Sequence, residues 1–174
     1  MSKSIKHMGR LAALLALGIG LGTGLAGCGS LARKLPPGTP VAEVTARLGQ
    51  PAATYPEPGG GQVLEYRGQP MGQFQHMARI GADGRLVSYD QVLTSENFAR
   101  VGVNRWTRDD ILRHFGRPAE AGRARLDDRE VWSYRYKEDG IWNSLMNVYF
   151  NARGVVIRLQ NTADPVLDER FKGT

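Results

Sequence analysis

One short phrase occurs twice in this chain, as Leu48-Gly49-Gln50-Pro51 and again as Phe115-Gly116-Arg117-Pro118. Each copy closes an amphipathic run and precedes an aromatic strand pattern. The spacing of about 67 residues is too long for a solenoid repeat and fits a duplicated small module. Gly49 and Gly116 are placed to take a left-handed helix stop, and Pro51 and Pro118 prevent the helix from continuing. More positions agree when the copies are superposed. Val44 matches Ile111, Leu64 and Tyr66 match Trp132 and Tyr134, Ile80 matches Phe150, Gly84 matches Gly154, and Val87 matches Ile157. The offset drifts from 67 to 70, so loops lengthen in the second copy. These are core and turn positions, and the repeat speaks for fold rather than chemistry.

A second feature fixes location. Lys3, Lys6 and Arg10 form a basic head without acids, Leu11 to Leu21 is apolar, and small residues follow. Residues 1–27 thus have signal-peptide anatomy, and the apolar stretch is too short and Gly-rich for a good spanning helix. The segment ends Leu25-Ala26-Gly27-Cys28, a lipobox pattern. Only Cys offers a thiol for a diacylglyceryl thioether, and cleavage frees its amino group for a further acyl chain. Two or more chains give stable anchoring. Cys28 is the one cysteine, which excludes an intrachain disulfide. Residues 28–37 read as a lipidated tether ended by Pro36-Pro37.

Charge narrows the partners. The full chain is +6, but without Lys3, Lys6 and Arg10 it has 20 Lys and Arg against 17 Asp and Glu. A net of +3 removes the main support for nucleic-acid binding.

Residues 38–93 read as the first module and 94–160 as the second. Thr39 with Pro40 starts a helix whose apolar face is Val41, Val44 and Leu48. A loop with Gly59-Gly60-Gly61 follows, then strands around Leu64 and Tyr66, from Phe74 to Ile80, and from Arg85 to Leu93, with Val87 and Tyr89 on one face. In the second module Thr94 caps a short helix. Thr107 and Asp110 form a capping box before Ile111 and Phe115, and Asp109 can pair with Arg113. Residues 119–128 read as a polar loop. Trp132, Tyr134 and Tyr136 share a strand face, and Val155, Ile157 and Leu159 line the last strand. Residues 161–174 read as a loose polar tail.

The lipobox followed by this tandem motif, best carried by Gly38 to Pro51 and again by Arg105 to Pro118, resembles the BamE (SmpA, OmlA) family of outer-membrane lipoproteins in the β-barrel assembly machinery. The resemblance implies an α+β fold of two tandem αα-βββ modules, helices packed on antiparallel sheet. The usual family member has one such unit and this chain has two. Two in tandem are also similar to the β-lactamase inhibitor protein.

The chemistry-bearing residues are sparse. His114 follows Asp110 by one helical turn, and His76 lies in a strand. Asp109-Asp110 and Asp127-Asp128 lack a third metal ligand at suitable spacing. Gly59-Gly60-Gly61 lacks the Lys of a phosphate loop. No nucleophile elbow occurs. No enzyme activity, cofactor, metal or small-molecule substrate is therefore expected. Residues 100–129 hold eight Arg against five acids, a candidate basic surface for anionic lipid or an acidic partner. The candidate contact residues are Trp106, Arg123, Arg125, Tyr136 and Trp142, since exposed aromatics anchor interfaces. The expectation is a non-enzymatic outer-membrane lipoprotein facing the periplasm. It would be tethered through Cys28, with a cell-envelope protein partner (barrel-assembly components, if the family role holds). The alternative is a tandem-repeat binding or inhibitor module acting on a periplasmic protein.

Overall fold

A computed structural model describes residues 35–125 and 128–167. Cys28 and the leader lie outside these residues. The element order is α1 (Val41–Leu48), β1 (Ala53–Pro56), β2 (Gln62–Arg67), β3 (Gln75–Ile80), β4 (Leu86–Gln91), α2 (Ser95–Ala99), α3 (Arg108–Phe115), β5 (Glu120–Arg123), β6 (Glu130–Glu138), β7 (Trp142–Phe150) and β8 (Val156–Ala163). The strands form two four-stranded antiparallel sheets, β1-β2-β3-β4 and β5-β6-β7-β8. The class is mixed α+β, with one sheet per copy of the repeat.

Each sheet has one strand more than the sequence pattern indicates. The additions, β1 and β5, are edge strands. Every residue of β5 (Glu-Ala-Gly-Arg) is exposed, and β1 ends on Pro56, as an edge permits. β5 buries no face, and β1 turns only Ala53 and Tyr55 inward, Tyr55 against the core. The glycines after β1 form a tight hairpin turn, with Glu57 N–H donating to Gly61 O at 2.9 Å.

The duplication is written in the hydrogen bonds. Val41 N–H donates to Gly84 O and Arg108 N–H to Gly154 O, both at 3.0 Å; Leu86 N–H donates to Thr39 O and Val156 N–H to Trp106 O, both at 2.8 Å. Isolated bridges Pro40–Arg85 and Thr107–Val155 complete the match. Both copies carry an irregularity at the same place, between Arg79 and Ile80 and between Tyr149 and Phe150. Such a bulge adds a residue and swaps which side chains face inward. That is why Leu86 and Val156 are buried, whereas Val87, expected on the core face, is 54% exposed.

Helix ends follow local chemistry. Thr107 and Asp110 form the expected capping box on α3. The N-cap of α1 is Pro40 rather than within a helix begun by Thr39. Thr39 instead turns its hydroxyl back to Pro36 O at 2.7 Å. Asp110, not Asp109, pairs with Arg113, at 2.6 Å. Gly49 (φ 85°) and Gly116 (φ 69°) are the helix stops.

Two apolar clusters form the core. Val44 of α1 buries with Leu64, Ala78, Ile80 and Leu86, and Val41, Leu48, Tyr66 and Tyr89 pack beside it. On the opposite face of the first sheet, Val63 and Met77 join Phe98 of α2 and Ile111 and Phe115 of α3. Tyr134, Met146, Val148 and Phe150 of the second sheet complete this cluster. The first sheet is thus apolar on both faces.

Polar side chains lock the seam between the copies. Buried Gln75 donates from Nε2 to Phe115 O at 2.8 Å, and buried Glu65 accepts from Arg117 N–H at 3.2 Å. Gln69 clamps the backbone of Arg135, donating to its carbonyl at 2.8 Å and accepting from its N–H at 3.2 Å. The end of the chain is part of this. β8 runs to Ala163, and Asp164 is fully buried with Oδ2 3.0 Å from Arg135 Nε. Residues 161–167 are therefore not the loose tail their polarity indicates.

Candidate functional site

The most exposed large apolar side chains include Met71, Phe74, Ile141 and Trp142, at 70%, 49%, 67% and 61%. They come from two segments that the sequence separates by some 70 residues. The β6–β7 turn is built by Asp139 (φ 51°) and Gly140 (φ 73°), the left-handed pair that a tight hairpin needs. It lifts Ile141 and Trp142 to the tip. The loop between β2 and β3 is held against this hairpin by Gln73, whose Nε2 donates to Tyr136 O at 3.2 Å and to Asn143 Oδ1 at 3.1 Å. Neither segment is slack, so the apolar edge is presented on a fixed support. Such an edge marks a protein or membrane contact. Trp142 was expected from sequence. Met71, Phe74 and Ile141 were missed, and their signal was apolar residues set inside Gly-rich turn segments.

The other expected residues divide. Trp106 is half-buried and packs on His114, the rings tilted by 40° with centroids 4.2 Å apart. Both line a cleft of about 620 Å³ between the copies, with Arg79 and Asp90 on one wall and Thr94, Asn97 and Arg100 on the other. His114 does not form the envisaged pair with the Asp110 carboxylate. Its Nδ1–H donates to the Asp110 carbonyl at 2.8 Å, while that carboxylate serves Thr107 and Arg113. Burial lowers the His114 pKa, and the Arg79 charge lowers it further, against the Asp110 carbonyl. Burial and the Arg79 charge thus favour the neutral ring, which forms part of an aromatic wall with Trp106.

Tyr136 is not a surface residue. It is 1% exposed and lies edge-on to Phe98 at 5.1 Å; burial raises its pKa to about 12. The strand continues past it to Glu138, and α2 covers it. Arg123 and Arg125 are exposed. Arg123 is forked onto Asp128 at 2.6 and 2.8 Å. Arg108 pairs with Glu130, Nε to Oε2 2.8 Å. Acids thus neutralise part of the Arg-rich segment. Asp127 lies outside the described residues, and among the described residues no group of three or more His, Cys, Asp or Glu could hold a metal ion.

The outer face of the second sheet is a further open surface. Ser133 donates to Asn147 Oδ1 at 2.6 Å, Tyr149 to Gln160 Oε1 at 3.2 Å, and Arg158 lies 3.9 Å over the Tyr149 ring. Among the described residues, no helix is long and apolar enough to cross a membrane.

No family model matches the chain, and no curated protein matches it. Among solved structures it is similar to a DUF4309 family protein (YjgB) from Bacillus subtilis subsp. subtilis str. 168. The identity is 14%, the TM-score 0.32, and the match covers 71% of this chain and 77% of that one.

Proposed function

We propose that this chain is a non-enzymatic lipoprotein of the outer membrane, facing the periplasm, and an accessory in β-barrel assembly or envelope integrity. It would work by holding a protein partner. The lipobox at Cys28 supports the anchor, and the tandem motif resembling BamE supports the role. In this reading each copy is a helix-on-sheet module of that family, and the matched hydrogen bonds of the two copies support that layout. The observation that carries the reading is the fixed apolar edge of Met71, Ile141 and Trp142. An aromatic anchor with aliphatic neighbours is the usual centre of a protein contact.

The test is a photo-crosslinking amino acid at position 142 in the native host, with metabolic labelling by a fatty acid. Acylation that depends on Cys28, together with a crosslink to a barrel-assembly component, is expected. Absence of acylation, or crosslinks to none of those components, overturns it.

A second reading is a binding module acting through the outer face of the second sheet. The open array of Ser133, Asn147, Tyr149, Arg158 and Gln160 favours it. A crosslink from position 147, with none from position 142, would select this reading.

A further inference from the structure

An edge strand offers unpaired N–H and C=O groups to any chain that can lie beside it. In this fold some of those groups are capped from within. Where β5 ends, Gln69 takes both backbone groups of Arg135 in β6. At the start of β8, Val156 N–H donates to Trp106 O at 2.8 Å, and Val156 O accepts from Asn104 N–H at 2.7 Å. The rest of β8 is open. Asp164 N–H donates to Asn143 O at 2.9 Å. With the β7–β8 register, this turns the backbone groups of Arg158, Gln160 and Thr162 toward β7. Those of Leu159, Asn161 and Ala163 therefore point away from the sheet. Among the described residues no hydrogen bond reaches these outward groups.

β8 is also the least guarded of the four edges. It has eight residues, against four in β1, four in β5 and six in β4. β1 ends on Pro56, β5 carries Glu120 and Arg123, and β4 carries Asp90. Proline, charge and bulges are the devices that keep an edge from pairing. From Leu159 to Ala163 there is no proline and no charge, and the irregularity of this strand pair lies before them, at Tyr149 and Phe150.

The two faces beside this edge differ. On the α2 side, Phe98, Val101, Val103, Met146, Leu159 and Asn161 line a groove of about 370 Å³, and Val103 is 42% exposed. On the other side Arg158, Gln160 and Thr162 are exposed. The Arg158 guanidinium lies over the Tyr149 ring and has no acid partner among the described residues. A strand added here turns alternate side chains to the two faces. It fits when every second residue is apolar, for the groove, and the others are polar, with an acid near Arg158. A second copy of β8 fits poorly, because it offers the groove Asn161 and Ala163 beside a single Leu159. At its far end the edge meets Trp142, which shares a hollow with Thr162 and Ala163.

We propose that the open edge of β8 binds an extended segment of another protein, alternating in apolar and polar residues, as an added strand of the second sheet. The outward N–H and C=O groups of Leu159, Asn161 and Ala163 hold its backbone, and the groove at Val103 selects its apolar side chains. Such alternation is the pattern of a strand of a membrane β-barrel. That identity of the occupant rests on the accessory role in barrel assembly; the edge site itself does not.

The test uses the full-chain protein extracted from membranes and placed in lipid nanodiscs. The probe is a fluorescent peptide of about ten residues, the length of a barrel strand, in which valine alternates with threonine and glutamate. A peptide of the same composition with its valines in one block is the control, and binding to empty nanodiscs is subtracted. Saturable binding of the alternating peptide, and none of the block peptide, is expected. Asn161→Pro removes an outward donor without removing a bond to β7, and Val103→Asp puts a charge in the groove. Each should raise Kd about tenfold or more. No binding by the parent, or an equal Kd for the parent and both variants, overturns the proposal. Tm is measured for each variant; if Asn161→Pro does not fold, Val103→Asp and a peptide N-methylated along its backbone decide, and undiminished binding in both overturns it. Light scattering in detergent that finds a dimer of the parent and a monomer of Asn161→Pro also overturns it, and assigns the edge to a second copy. Peptide binding that fails while position 142 still crosslinks to a barrel-assembly component removes this proposal and leaves the accessory role. Peptide binding without that crosslink upholds the edge site and removes only the barrel-strand identity of its occupant.

Discussion

The side-chain amide of Gln75 in the first sheet donates to the backbone carbonyl of Phe115 at the end of α3, at 2.8 Å. It also reaches Glu65 Oε1 at 3.2 Å, and Glu65 accepts from the Tyr55 hydroxyl at 2.5 Å. Gln75 and Glu65 are fully buried and Tyr55 half-buried, and the network ties the second repeated phrase to the first copy. An unpaired buried polar group costs about 1–3 kcal/mol. Gln75→Leu should therefore destabilise by about 2–4 kcal/mol, since it orphans both the Phe115 carbonyl and a Glu65 oxygen. Gln160→Ala, on the open face, should stay within about 0.5 kcal/mol of the parent. Denaturant unfolding measures both.

The two phrase glycines should respond unequally. Both have positive φ, so alanine costs each about 1 kcal/mol in backbone strain. At Gly49 an added methyl group meets nothing within 4 Å. At Gly116 it meets the Gln75 amide and lies 2.8 Å from the Glu65 carboxyl carbon. Gly116→Ala should cost at least about 2 kcal/mol more than Gly49→Ala. Equal losses in thermal unfolding would show that the seam does not depend on close approach there.

The Arg135–Asp164 pair is buried on both sides, and Arg135 also reaches Glu120 at 2.6 Å. Removing one member leaves the other charge uncompensated, at about 3–5 kcal/mol. Asp164→Leu should approach that range, and Arg135→Met with Asp164→Leu should recover part of the loss. Ending the chain at residue 160 should do comparable damage. A double-mutant cycle by denaturation reads the coupling.

Acid should weaken the fold in a window set by histidine. Burial lowers the pKa of both His76 and His114, so the unfolded chain binds more protons than the folded one just below the ordinary histidine value of about 6.5. The stability from keeping these rings neutral is fully present above that value. It is lost progressively as pH falls toward the lowered folded values. His114→Phe should flatten the dependence of Tm on pH between about 7 and 5 relative to the parent. An unchanged slope would sink this account.

Much of the fold was legible in the residues. Thr107 with Asp110, the paired glycine stops and the β3 and β6 patterns read correctly, because each is a local preference with a short-range cause. β1 and β5 were not legible, because β5 has no buried face and β1 is a four-residue run with only Ala53 and Tyr55 turned inward, too short to leave a period-2 trace. The bulges hid Leu86 and Val156, since one inserted residue reverses the pleat without changing composition. Of the candidate contacts, Trp142 was legible as an aromatic beside a turn. Tyr136 was not, because its burial depends on Phe98 from an element 38 positions away.

The sequence by itself determined that the chain is two copies of one scaffold and where each helix stops. Those are set by which backbone angles Gly and Pro allow. Its Lys3-to-Cys28 segment carries the expectation of an anchor. The tertiary structure decided what holds the copies together and which apolar residues stay outside. Glu65, Gln75, Arg135 and Asp164 read as ordinary surface residues, and only their long-range partners make them interior. Met71 reads as an ordinary apolar residue in a turn, and only the Gln73 clamp sets its loop against the hairpin that carries Trp142. Pairings across 40 to 70 residues depend on how two sheets dock, and no local periodicity records that.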